Sequence, residues 1–243
     1  MSVFSPFVIP RRASYNALSV RFDGNDHGAM GSDLAGISDG TDGAISVWVN
    51  RKSSGARDGI WSSNGSRLEI YFESNDTLRV NSFNGSSFDL QQITATTYTS
   101  STGWIHILSS WTSSTRRLYV NDAAPSMTTA TRNTATIDYT RTDHEFGRYG
   151  VSNAYRLDAD VADFWFVDSY IDFSSVSNRR MFIDASNKPV DLGSDGSNPG
   201  VTPVVFYGGS NATVGTWLTD RSGNGNTMTL TGTLTAGSSS PSD

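Results

Sequence analysis

Cysteine is absent from this 243-residue chain, which excludes a disulfide framework, a thiol nucleophile and a thiolate-bound zinc. Charged residues make up only 17% of it, no run of Lys or Arg occurs, and the net charge is -6. Binding to a phosphate backbone depends on clustered cations, so nucleic acid is not an expected partner. No stretch approaches the roughly 18 apolar residues of a membrane helix, so no membrane partner is expected. The segment from Met1 to Arg12 lacks the basic-then-apolar order of a signal peptide, which predicts synthesis and folding in the cytoplasm of the producing cell. The three histidines, His27, His106 and His144, are far apart and form no HxH or HxxxH pair, which argues against a histidine metal site. No Gly-x-Ser-x-Gly elbow marks an activated serine.

What is present is a β pattern. From Leu68 to Glu73 apolar and mostly polar positions alternate, with Leu68, Ile70 and Phe72 on one face and Glu69, Tyr71 and Glu73 on the other. Strands are also predicted at Leu78–Phe83, Trp104–Trp111 and Leu118–Val120, separated by turns such as Ser74-Asn75-Asp76 and Asn84-Gly85-Ser86-Ser87. Ile45–Val49 and Val161–Val167 are apolar on both faces, as central strands covered on both sides are. Val204–Phe206 and Met228–Leu230 read as late strands that complete the sheets. The single helical expectation is a short turn within Phe173–Asp184, capped by Ser174 or Ser175 and carrying Val176, Met181 and Phe182. The fold class is therefore all-β, a sandwich or barrel with very little helix. Residues 1–16, with Pro6 and Pro10, read as an extended arm, 17–235 as one domain, and the Gly- and Ser-rich residues 236–243 as a flexible tail.

Four segments, in this order, resemble the laminin G-like branch of the concanavalin A-like lectin and glucanase superfamily: Ala17–Asp26, Ile45–Asn50, Gly103–Thr112 and Arg117–Asp122. Phe146-Gly147-Arg148 and Asp160–Asp168 match later strands of the same pattern, and Asp122 stands where the family usually has Gly. The resemblance implies an antiparallel two-sheet jelly-roll sandwich, with Trp48, Trp104, Trp111 and Trp165 in structural positions. The continuation from Asn187 to Asn226 and the closing tail resemble lectin-like structural proteins of tailed bacteriophages and prophages. That second resemblance implies a virion location, with residues 1–16 gripping neighbouring virion proteins. Symmetric self-association fits such a role.

Asp158, Asp160 and Asp163 are similar to the acidic strand array of the family's glucanases. Retaining hydrolysis requires two carboxyls about 5–5.5 Å apart. A regular strand puts Asp158 and Asp160 on one face and Asp163 on the other, so only a bulge would align them. Strand-end and turn carboxylates are the preferred reading, and no catalytic residue is expected. Asp23, Asn25 and Asp26 bring together oxygen atoms of the kind calcium takes. The same residues make a good turn, and the turn is preferred, so no cofactor is predicted.

Sugar binding calls for aromatic faces flanked by amides or carboxylates. Tyr71 between Glu69 and Glu73 meets that demand, as does Trp61 near Asn64. The sequence thus predicts a non-enzymatic virion-surface module that binds host cell-surface glycan through Tyr71, Glu69, Glu73 and Trp61. A purely structural virion protein is the alternative, and a glycoside hydrolase a distant third.

Overall fold

The computed structural model describes residues 15–63, 68–149 and 155–243. The expected arm, apart from Tyr15 and Asn16, lies outside the described residues, as does Asn64. The first strands are β1 (Val20–Asp23), β2 (His27–Ala29), β3 (Gly43–Arg51), β4 (Asp58–Ser63) and β5 (Glu69–Phe72). They are followed by β6 (Thr77–Phe83), β7 (Phe88–Thr97), β8 (Ile105–Trp111), β9 (Arg116–Val120) and β10 (Met127–Arg132). The chain closes with β11 (His144–Phe146), β12 (Asp158–Val167), the one-turn helix α1 (Val176–Arg179), β13 (Val205–Tyr207), β14 (Thr229–Thr231) and β15 (Thr235–Ala236).

These strands form two antiparallel sheets. A seven-stranded sheet has the order β15-β1-β12-β3-β8-β9, with β13 also paired to β12; an eight-stranded sheet has the order β10-β7-β6-β5-β4-β11-β2-β14. The two-sheet antiparallel sandwich expected from the sequence is the fold observed. Strands β3 and β12 are central, as their two-sided apolar sequences require.

Two apolar layers explain that two-sided pattern. Val47, Val49, Val161, Phe164 and Phe166 point between the sheets and meet Ile70, Phe72 and Val80 from the other side. Trp48, Ala162 and Trp165 point to the outer face of the seven-stranded sheet, where Phe173, Phe182 and Leu192 cover them. The segment after β12 is thus a lid of loops over one sheet, with α1 as its only α-helix among the described residues. Ser175 is its N-cap, although its side chain makes no capping hydrogen bond. Phe182 is buried and Val176 exposed.

The residue in the family's glycine position, Asp122, adopts φ 64°, a left-handed conformation that costs an L-residue some strain. Its carboxylate accepts bonds from Arg179 Nε at 2.5 Å and Arg180 Nη2 at 2.7 Å. The departure from glycine therefore ties the β9 turn to α1.

The tail corrects the sequence expectation. Residues 236–243 are docked: Thr235 and Ala236 pair with Arg21 and Val20. Ser239 O accepts from Ser19 Oγ at 2.6 Å, Ser239 Oγ accepts from Trp104 Nε1 at 3.0 Å, and Ser240 Oγ donates to Ala17 O at 2.8 Å. Composition alone suggested a loose end, but a serine-rich segment has a hydroxyl at nearly every position with which to satisfy an open sheet edge.

Candidate functional site

Strand alternation presents Glu69 and Tyr71 of β5 and Arg79, Asn81 and Phe83 of β6 on the outer face of the eight-stranded sheet. Tyr71 pairs with Arg79 and Glu69 with Asn81. Tyr71 is only 3% exposed, because Tyr149 crosses above it with ring centroids 4.5 Å apart. Tyr155 meets Tyr149 edge-on at 5.7 Å and is 36% exposed. The guanidinium of Arg57 lies 5.5, 5.1 and 4.9 Å from the ring centres of Tyr71, Tyr149 and Tyr155. Glu73 holds that guanidinium, accepting from Arg57 Nε at 3.0 Å and Nη2 at 2.7 Å, while Arg79 approaches its other oxygen at 3.0 Å. The tyrosyl hydroxyl of Tyr71 accepts from Asn81 Nδ2 at 3.2 Å. Burial, first, and the neighbouring Tyr149 raise the Tyr71 pKa well above its ordinary value, so the phenol stays a neutral donor.

A bulge extends this surface. Ser82 pairs with Leu90 but Phe83 pairs with Phe88, so β7 carries one extra residue and Phe88 turns outward beside Phe83. The two rings lie 5.1 Å apart, and Phe88 is 40% exposed. Glu69, Tyr71, Phe83, Phe88 and Tyr149 enclose a cleft of about 190 Å³; Ala56, Arg57, Ser74 and Tyr155 border a second hollow of about 350 Å³.

Gly59 makes the crossing of Tyr149 feasible. It sits opposite Tyr71 in the β4–β5 ladder, and a Cβ there would overlap the Arg148–Tyr149 backbone. Peptide atoms cannot rotate aside as a side-chain tip can, so this position requires glycine.

Of the four residues predicted to bind sugar, Glu69, Tyr71 and Glu73 are brought together around this surface, Glu69 and Tyr71 as the floor of the cleft. Trp61 is not. It is 1% exposed and stacks on Phe164 at 4.9 Å inside the sandwich. The reason is a second bulge: Gly59 pairs with Tyr71 and Trp61 with Ile70, so Ile60 is the extra residue and Trp61 follows Ile70 into the core. The exposed aromatic faces belong instead to Tyr155 and Phe88. Phe83 and Phe88 flank the Asn84–Ser87 turn, an aromatic pair that marks a hairpin mouth in the sequence; nothing local signals that Tyr155 folds over β5.

The carboxylates weighed for other chemistry are already occupied. Asp26 Oδ1 accepts from Thr233 N at 2.7 Å, and Asp23 Oδ1 accepts from Asn25 N at 2.9 Å, so the calcium candidates Asp23, Asn25 and Asp26 form a turn that anchors the loop after β14. Among the described residues no group of three or more His, Asp or Glu is arranged to hold a metal ion. The bulge that a catalytic array would need does exist in β12, between Ala162 and Trp165. It serves another purpose: β1 pairs with the first half of β12 and β13 with the second, and Asp163 sits at the junction with φ 45°. Its carboxylate accepts from Gly209 N at 2.9 Å and from the Tyr15 hydroxyl at 3.0 and 2.9 Å. Asp160 accepts from Ser238 Oγ at 2.7 Å and pairs with Lys52 at 2.9 Å. Both are buried, and Asp158 pairs with Arg21.

His106 is buried, because the lid covers its sheet face. It stacks on Trp48 at 4.4 Å and shares a hydrogen bond with Ser46 Oγ at 2.8 Å, while its Nδ1 has no partner.

A family model for the concanavalin A-like lectin/glucanases superfamily matches residues 22–177. No curated protein sequence matches the chain. Among solved structures, a protein of Bacteroides ovatus provisionally described as carbohydrate-binding shares 14% identity at a TM-score of 0.66, with 93% of this chain and 62% of that one covered. The heptameric SAP-like pentraxin of Limulus polyphemus shares 14% identity at a TM-score of 0.50, with 69% and 83% covered. Domains LG4-5 of the mouse laminin α1 chain share 11% identity at a TM-score of 0.49, with 70% and 49% covered. The chain thus spans less than two thirds of the Bacteroides and laminin chains, and at these identities the likeness is one of fold.

Proposed function

The chain belongs to the concanavalin A-like lectin/glucanases superfamily, and from that premise we propose that it is a non-enzymatic carbohydrate-binding module whose site is the aromatic cleft over β5 and β6. One observation carries the reading: a cleft with a carboxylate and a phenol in its floor is bordered by the exposed ring of Phe88, and the exposed ring of Tyr155 meets its Tyr149 wall from the neighbouring hollow. Unlike Trp48 and Trp165, which the lid covers, Phe88 and Tyr155 keep exposed rings, and a pyranose needs both an apolar platform and polar partners for its hydroxyls. The description of the Bacteroides protein is in keeping with this. The absence of catalysis is part of the proposal and is supported by Asp160 and Asp163, both buried, with Asp160 Oδ2 held by the tail and the Asp163 carboxylate by Gly209 and Tyr15. The resemblance of residues 187–226 to virion proteins of tailed phages extends the proposal to a site displayed in many copies on a particle, where weak sites act through avidity.

The test is a glycan array probed with multimerised protein, with and without a calcium chelator, followed by affinity measurement on any hit. Wild-type protein is expected to bind independently of calcium, and Tyr155→Ala to weaken binding about tenfold. Tyr71→Ala should abolish it by removing the floor. A blank array for folded protein would overturn the proposal in favour of a structural building block.

A further inference from the structure

Strand β9 ends the seven-stranded sheet and β10 ends the eight-stranded one, and the turn from Asn121 to Ser126 joins them across the open side of the sandwich. Leu118 and Val120 of β9 point into the core, so Arg116, two residues before Leu118, shares that inward face. An arginine aimed between two sheets normally brings its own anion. Arg51, on the inward face of β3, meets Asp58 at 2.6 Å and Asp76 at 2.8 Å. The Arg116 side chain makes no ion pair or hydrogen bond to any described residue, and its Nε is buried without a partner. The residue is half-buried, so the cost falls on the Nε–H, which is shut off from water without an acceptor.

The space in front of Arg116 is a cleft of about 250 Å³. Arg117 also borders it, but its side chain follows Tyr119 to the opposite face of β9, where its Nε lies 3.7 Å from Asp172. Leu118, Pro125 and Met127 supply apolar wall, and Tyr119 borders it. One arginine without an anion of its own therefore faces a small hollow in a chain whose net charge is -6.

From this geometry we propose that the cleft between β9 and β10 is a second binding site, for a hexuronic acid residue whose carboxylate pairs with Arg116 while its ring lies on Leu118, Pro125 and Met127. The planar guanidinium fork matches a carboxylate in bidentate fashion. The cleft is below the roughly 300–1,000 Å³ of a drug-sized ligand site, so it suits one monosaccharide and not a peptide or a long polyanion. The apolar wall favours a carboxylate carried on a ring over a bare ion. This site lies on the side of the sandwich and shares no residue with the aromatic cleft, so the two readings stand or fall separately.

The experiment is an NMR titration of the full chain with glucuronic acid, glucose and acetate, following the Arg116 side-chain N–H signals and the Leu118 and Met127 methyls. Glucuronic acid is expected to shift all of them, and glucose and acetate to bind at least about tenfold more weakly, since each lacks one half of the interaction. Arg116→Gln should weaken glucuronic acid about tenfold with an otherwise wild-type spectrum, because no internal contact is removed. Tyr155→Ala should leave this titration unchanged while reducing binding on the array. Equal affinity for acetate would reduce the cleft to a general anion site and overturn the proposal; so would the absence of shifts at these residues, or glucuronic acid binding that survives Arg116→Gln.

Discussion

Two buried ionisable residues on the lid side of the seven-stranded sheet pull the pH dependence of stability in opposite directions. Burial lowers the pKa of His106 from 6.5 to about 3. Between those values the unfolded chain takes a proton that the folded chain refuses, so the stability owed to neutral His106 is lost as pH falls. Burial likewise raises Asp163 from 3.8 to about 6, against the hydrogen bonds from Gly209 and Tyr15. The folded chain holds a proton there that the unfolded chain releases, so this contribution is present at low pH and is lost as pH rises through about 6. From pH 6 to 4 the two slopes, each at most about 1.4 kcal/mol per pH unit, offset one another. Asp163→Asn removes one of them. Urea unfolding across that window should show the variant losing stability more steeply on acidification than the wild type; parallel profiles would mean that Asp163 does not hold its proton.

At the level of elements, bulges and one glycine assemble the candidate site. Alternation in Leu68–Glu73 correctly placed Tyr71 opposite the core, because a strand paired in regular register keeps its period of two. In the sequence Trp61 qualifies as a platform only by its nearness to Asn64; the extra residue in β4 turns it into the core, and nothing in Gly59-Ile60-Trp61 announces that bulge. Gly59 is the complementary case: its role is to leave room for a strand-flanking segment some 90 residues later in the chain. Gly59→Ala is expected to fold, to lose roughly 1–3 kcal/mol in denaturant unfolding as Arg148 and Tyr149 are pushed away, and to bind glycan more weakly than wild type. Unchanged binding would show that the position of Tyr149 is not needed for recognition.

For the whole molecule, the docked tail closes the first sheet. Besides its contacts with Ala17, Ser19 and Trp104, it supplies the Ser238 N–H and hydroxyl that Asp160 accepts at 3.1 and 2.7 Å. Deleting residues 237–243 leaves the buried Asp160 with fewer partners and removes the Gly237 N–H that Ser19 O accepts at 3.0 Å. With each net hydrogen bond worth about 1 kcal/mol, the deletion should cost roughly 2–4 kcal/mol and lower the midpoint of thermal unfolding by roughly 5–10 °C. A midpoint within about a degree of wild type would show the tail to be as loose as its composition suggested.

The sequence by itself determined the fold class, the central position of β3 and β12, the short helix near Phe173–Asp184 and the outward face of Tyr71. Each stems from periodicity and turn chemistry within a few residues, and those act locally. Only the tertiary structure decided that Trp61 is core, that the tail is docked, that Tyr155 and Phe88 carry the exposed rings, and that Arg116 faces a cleft without a carboxylate. Those outcomes depend on bulges and on contacts between segments far apart in the chain, and a side chain's neighbours across a sandwich are set by how the sheets close, a property no local stretch contains.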